Sequence, residues 1–269
     1  MQKRPIGVFD SGIGGLTILR ALRRALPHEH LIYFGDTANV PYGGKSKKAV
    51  TRLALNVAKF LEASGVKLVV VACNTVSAQA LPTLRKQLKV PVLGVIEPGA
   101  DAALRATKNN QIAVLGTQGT VESRAYVKAI AKRRKNAQVF QQACPLFVPL
   151  AEEGFADKPA AKLIAQEYLA PVKQSRADTV ILGCTHYPIL KSLIAQIMGP
   201  RVTLVDSADT LARATKQFLQ DKKLAATTGR GRVKLYASDA PEKFTRSAQN
   251  SWVKKQPKPP LKKYENLYG

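Results

Sequence analysis

The sequence predicts an α/β protein made of two doubly wound lobes with mostly parallel sheets, and three observations carry that reading. Short β-branched runs alternate with segments of helical periodicity along most of its 269 residues. The residues just after those runs are small, polar and reactive, at the positions where open parallel sheets collect ligands. A faint internal repeat also matches LVVVACNT (68–75) to TVILGCTH (179–186), so that two similar half-sites could face each other across a cleft.

Taken in order, a strand-like run at 6–9 precedes a helical pattern at 16–26, 31–34 precedes 47–61, and 66–72 precedes 76–88. A further short run at 92–93 leads into GVIEPG (94–99), which reads as the crossing between lobes. The second half repeats the grammar, with 111–115 before 121–131, 179–182 before 189–198, and 202–205 before 208–219. We therefore expect one lobe from 1–96 plus 207–251, a second from 97–206, and a basic, proline-containing tail at 252–269. The Lys and Pro content of that tail is the composition of a disordered segment and unlike a compact last helix.

Composition narrows the functional classes. With 45% hydrophobic residues, the chain can bury one large core or two smaller ones. The apolar run at 6–9 is too brief for a secretory core of roughly 7 to 15 residues. The run at 66–73, interrupted by Lys67, falls far short of the roughly 20 residues that span a bilayer. The expectation is a soluble, cytoplasmic protein. Three cysteines without a CxxC pair, and only three histidines, suit neither a disulfide scaffold nor a zinc site, so the thiols are expected to be free.

A formal net charge of +24 attracts phosphates, nucleic acid and anionic membranes, and it equally attracts a dicarboxylate. The basic residues are scattered from Arg20 to Lys263 without one long tract or interleaved aromatics, which describes a solvated basic surface better than a nucleic-acid groove. Nucleic-acid contact through charge is thus allowed, but it is not the predicted main function.

Five loops hold the chemistry: DSGIGG (10–15), GDT (35–37), CNT (73–75), GTQGT (116–120) and GCTH (183–186). Two cysteines after equivalent strands suit a reaction that takes a proton from one face of a carbon and returns one to the other. Cys73 and Cys184 are each predicted to precede a helix, whose N-terminus favours a thiolate. Cys144, in ACPL, is assigned to packing. Asp10 could orient an ammonium group or tune a thiol, or simply cap the next helix; His186 could exchange protons with Cys184 or be a core histidine. GIGG does not complete GxGxxG, because Thr17 stands where the third glycine would fall, and a dinucleotide site is unsupported. GTQGT could present amides and hydroxyls to a carboxylate or serve only as a capping turn. A Cys184–His186 acyl-transfer pair would leave the Cys73 loop without a role. A noncatalytic basic binding module would make both cysteine loops incidental.

Together GVFDSGIGGLTILRAL, YFGDTANVPYGGKS, VVVACNTVSAQAL, VLGTQGTVES and VILGCTHYPIL resemble the glutamate racemase family, and the likeness reaches VDSA (205–208) and, more loosely, YASDAPEKF (236–244). The resemblance implies two pseudo-symmetric lobes with glutamate in the cleft between them, no pyridoxal phosphate or other cofactor, no metal, and a homodimer. It implies that Cys73 takes the α-proton from D-glutamate and Cys184 from L-glutamate, with Asp10 and His186 assisting the thiols and Glu152 aiding His186. Substrate binding is implied for Asp10, Ser11, Tyr42, Gly43, Asn74, Thr75, Thr185 and His186, with Thr117 and Thr120 as further carboxylate contacts. The implied cellular role is supply of D-glutamate for peptidoglycan. A related substrate, such as aspartate or a hydantoin, is the alternative within the same two-thiol chemistry. The chain departs from the family pattern in its charge and in its C-terminal tail.

Overall fold

The structure is a computed structural model that describes residues 2–239 and 244, together with the backbone of 261–263. Two sheets organise it, and every strand pairing among the described residues is parallel. The first sheet has strand order β10-β9-β2-β1-β3-β4, from β1 (Ile6–Asp10), β2 (Leu31–Gly35), β3 (Leu68–Val71), β4 (Val92–Gly94), β9 (Val233–Ala237) and β10 (Leu261–Lys263). The second has order β6-β5-β7-β8, from β5 (Gln111–Gly116), β6 (Gln138–Ala143), β7 (Thr179–Gly183) and β8 (Thr203–Asp206). The central strands β1, β3 and β7 are buried along their whole length, as their apolar, β-branched sequences require when helices cover both faces of a sheet.

The order β2-β1-β3-β4 in the first sheet is reproduced as β6-β5-β7-β8 in the second. β3, which leads to Cys73, and β7, which leads to Cys184, therefore occupy equivalent places, and the short repeat seen in the sequence corresponds to real positional equivalence.

Between the sheets lie α1 (Leu16–Ala25), α5 (Ile96–Ala106), α7 (Ala125–Arg133) and α11 (Ser207–Asp221). One continuous core joins Val8 and Val70 of the first sheet to Val114 and Ile181 of the second through Leu19 and Leu211 of these helices. The outer face of the first sheet is covered by α2 (Lys47–Ala63), α3 (Asn74–Gln79) and α4 (Leu81–Gln87), which bury residues such as Val57 and Leu84 against Val69. The outer face of the second is covered by α8 (Phe147–Glu152), α9 (Pro159–Gln174) and α10 (Lys191–Met198), with Leu169 and Ile194 packed on Leu182. The chain passes from first sheet to second at Val95, between β4 and α5, and returns at Ser207, where α11 begins.

Local chemistry sets the helix ends. The Ser46 hydroxyl accepts the Ala49 N–H at 3.3 Å at the start of α2, and Asp206 accepts the Ala208 N–H at 3.1 Å at the start of α11. Pro159 opens α9, where its missing N–H costs nothing. The single helix expected over 121–131 is instead two: α6 (Gln118–Glu122) and α7, separated by Arg124 in the left-handed region at φ 53°. β6 and α9 were not anticipated in the sequence. β6 is a half-exposed edge strand with three glutamines, and its pattern lacks the apolar run that marks the central strands.

At the base of the first sheet, Lys67 and Glu29 form an ion pair at 2.6 Å with both side chains 1% exposed. The Lys67 ammonium also donates to the carbonyls of Gln2 and Leu224, each at 2.7 Å, and the other Glu29 oxygen accepts the Ala226 N–H at 2.7 Å. Four chain segments thereby meet on one buried pair of charges.

Of the tail, residues 261–263 add strand β10 to the sheet edge, where the composition suggested no regular structure; 252–260 and 264–269 lie outside the described residues, as do 240–243 and 245–251. None of the described helices is long and apolar enough to cross a membrane.

Candidate active site

The C-terminal ends of β1, β3, β5 and β7 point their loops at one small cavity, lined by residues that include Ser11, Tyr42, Cys73, Asn74, Cys184 and His186. Gly43, Thr75, Thr117 and Thr185 also line it, as do Val40, Pro41 and Val148, which the sequence reading did not single out. Only about 20 Å³ is open to the centre of a water-sized sphere, which is room for about one water molecule.

Cys73 is the N-cap residue of α3, as expected, and its Sγ lies 3.8 Å from the Ser11 hydroxyl. Burial pushes its thiol up to about 12, and the nearby charges of Asp10 and Cys184 add to this, against the opposing hydrogen bonds from the Val76 N–H and Ser11. Cys184 does not meet an α-helix directly. A 3-10 turn (Tyr187–Leu190) stands between it and α10, with His186 at its cap. The Cys184 Sγ is 3.8 Å from His186 Nδ1, and His186 Nε2 is 3.1 Å from Glu152 Oε1 at the end of α8. Burial alone would push the His186 imidazole down; the hydrogen bonds to Cys184 and Glu152, with the charges of Cys184 and Asp10, outweigh it and raise the group to about 10.

Asp10, fully buried, lies one step behind the cavity wall. It accepts the Gly15 N–H at 2.8 Å and the Thr185 hydroxyl at 3.3 Å; burial raises its carboxyl, and the His186 charge and the Gly15, Gly12 and Ser11 backbone N–H groups oppose that shift. Glu152 and Thr120 also stand behind the lining, Glu152 on His186 and Thr120 at 3.1 Å from the Thr117 hydroxyl. Tyr42 donates to the buried Asp36, which also accepts from Ser238 at 2.7 Å and from Asn39 at 3.1 Å. That network secures the segment carrying the cis Val40–Pro41 bond and brings Tyr42 and Gly43 to the cavity. Among the described residues, no group of three or more His, Cys, Asp or Glu side chains could hold a metal ion.

The two lobes touch around the cavity. Thr75 and Thr117 share a hydrogen bond at 2.9 Å, the Gly119 N–H donates to the Gly43 carbonyl at 2.9 Å, and the Gln79 amide donates to the Gly119 carbonyl at 3.1 Å. The glycines permit this approach. A Cβ at Gly14 would stand 2.5 Å from the Thr185 hydroxyl and 2.8 Å from His186 Nδ1, and one at Gly43 would stand 2.6 Å from the Thr117 Cβ.

Two cysteines at the ends of equivalent strands, one of them beside a histidine, thus meet at one cavity. A sequence profile of the Asp/Glu/hydantoin racemase family matches residues 6–215, and the chain belongs to that family of isomerases. Its relatives within the family include glutamate racemases. It is 49% identical to the glutamate racemase of Geobacter metallireducens over 91% of this chain and 92% of that one, and 49% identical to a glutamate racemase of Thermus thermophilus over 92% of each. Two crystal structures are similar throughout. A glutamate racemase from Bacillus anthracis superposes with a TM-score of 0.94 at 33% identity, covering 99% of both chains. The Francisella tularensis glutamate racemase, in complex with D-glutamate, gives 0.92 at 38% identity, covering 100% of this chain and 99% of that one.

Proposed function

We propose that the protein interconverts L- and D-glutamate by a two-base mechanism in which Cys73 and Cys184 act from opposite sides of the substrate. The observation that carries this is the meeting of two cysteines, from equivalent strands of the two sheets, at one cavity. One thiolate removes the α-proton and becomes a thiol, leaving a carbanion whose charge spreads into the carboxylate. The opposing thiol then delivers its proton to the other face and becomes a thiolate. The return reaction runs through the same groups with their roles exchanged. Following the family motif, Cys73 takes the proton of D-glutamate and Cys184 that of L-glutamate.

Other groups have consistent places in this scheme. His186 can pass a proton to or from Cys184 while Glu152 holds its ring, and the net charge of +24 favours approach of a dicarboxylate whose overall charge is negative. The Asn74 Nδ2 is buried without a partner in a residue lining the cavity, and it suits a substrate carboxylate. Ser11, Tyr42, Gly43, Thr75, Thr117 and Thr185 supply the remaining polar lining, with Thr120 acting through Thr117. Glutamate is larger than the space between the loops, so the cavity must widen to admit it. The D-glutamate produced would supply peptidoglycan synthesis. A homodimer fits the exposure of Leu146, Phe155, Leu163 and Ile189, all on the second lobe, and sedimentation velocity should show twice the chain mass.

Circular dichroism of each glutamate enantiomer, without added cofactor, tests the mechanism. Both signals should decay to zero with the wild type and persist with Cys73→Ala and Cys184→Ala. Turnover surviving either substitution would refute the two-cysteine scheme, and no turnover of glutamate alongside turnover of aspartate or a hydantoin would reassign the substrate.

A further inference from the structure

Tyr126 is fully buried at the start of α7, and it reaches from the neighbourhood of one cysteine to that of the other. Its hydroxyl donates to the Asn74 Oδ1 at 2.8 Å, one residue beyond Cys73. Its ring edge faces Gly183, one residue before Cys184, where an added Cβ would stand 3.4 Å from Cε2. The opposite ring edge rests on Gly99 of α5, where a Cβ would stand 3.1 Å from Cε1. The ring is thus held by the second lobe while its hydroxyl grips the first. Ser207, where the chain crosses back between lobes, places a buried hydroxyl beside the same phenol.

From this placement we infer that Tyr126 is a positioning residue for the racemisation: it holds the Asn74 amide with Nδ2 free for the substrate and ties the two cysteine loops to a common reference. The inference rests on the function proposed above. An Asn side chain has two faces of opposite hydrogen-bonding character, and one bond to its oxygen decides where its nitrogen points. The Tyr126 hydroxyl makes that bond from across the lobe boundary, so the donor offered to the ligand is oriented only when the lobes are together. The split between α6 and α7 at Arg124 starts a new helix at Ala125 and sets where Tyr126 emerges; a single helix through this region would place it otherwise.

Tyr126→Phe keeps the ring and deletes the hydroxyl. Loss of one neutral hydrogen bond is expected to raise KM for both enantiomers by about fivefold, with kcat within about twofold. In the Asn74→Ala background the same substitution should add nothing to KM. A KM unchanged by Tyr126→Phe, whatever happens to Tm, would overturn the inference, as would equal effects with and without Asn74. Asparagine-selective ¹⁵N spectra supply a readout independent of turnover: the Asn74 side-chain amide should shift on Tyr126→Phe, and an unmoved resonance counts against the inference. Should that variant fail to fold, the wild-type Tyr126 hydroxyl proton should exchange slowly enough to be seen by NMR, and a fast-exchanging hydroxyl overturns the same point. A wild type that does not racemise glutamate would instead count against the proposed function, leaving the Asn74 resonance to decide on Tyr126.

Discussion

His186 is almost wholly buried, with Cys184 on one side of its ring and Glu152 on the other. Because its folded-state value is raised to about 10 from an ordinary 6.5, the stability it contributes is complete below pH 6.5 and is lost as pH rises through 10. Glu152→Gln should therefore destabilise the protein by about 1–2 kcal/mol between about pH 5 and 6.5, and the difference from wild type should close by pH 10. Denaturant titrations at three pH values would measure it, and a penalty constant with pH would exclude the charged pair. Solvent screens the pair in part, because the Glu152 side chain is 19% exposed. Most of the cavity lining was legible in the sequence, since Cys73, Asn74, Thr75, Cys184, Thr185 and His186 stand in unusual polar loops directly after apolar runs. Val40, Pro41 and Val148 were not, because nothing in an apolar residue's type separates a cavity wall from a core. Tyr126 was hidden inside a helical pattern that showed no break.

At the scale of elements, the glycine-rich turn between β1 and α1 has the narrowest tolerance. Gly14 sits against Thr185 and His186, so this turn of the first lobe packs directly on the chemistry of the second. Gly14→Ala should lower kcat/KM by about tenfold or more while costing about 1–3 kcal/mol of stability, as overpacking commonly does. Turnover assays beside thermal unfolding would check this, and an unaltered kcat/KM would show that His186 yields without consequence. The alternation of strands and helices could be read because buried parallel strands are continuous apolar runs. The failures have physical causes. β6 takes its place through pairing with β5 rather than through its own hydrophobicity, and the α6–α7 break depends on a left-handed Arg124, a residue with no intrinsic preference for that conformation.

On the scale of the whole molecule, the buried Lys67–Glu29 pair fastens the base of the first lobe away from the cysteine loops. Lys67→Met would strand the Glu29 carboxylate in the interior and should cost about 3–5 kcal/mol, with part of the loss recovered in Lys67→Met/Glu29→Gln. Equal unfolding midpoints for the single and double variants would contradict this. The matched strand orders of the two sheets have a consequence of another kind. Mirror-image amino acids have the same free energy in water, so the equilibrium constant between them is one. The half-sites are not equivalent in detail, with Asp10 and Ser11 beside Cys73 and the His186–Glu152 pair beside Cys184. Thermodynamic balance forbids that inequality from favouring either product. In the proposed scheme, a half-site that turns its own enantiomer over faster must hold it more weakly in proportion, so that kcat/KM is identical in the two directions, and a substitution beside either cysteine changes the pace of the reaction but never its destination.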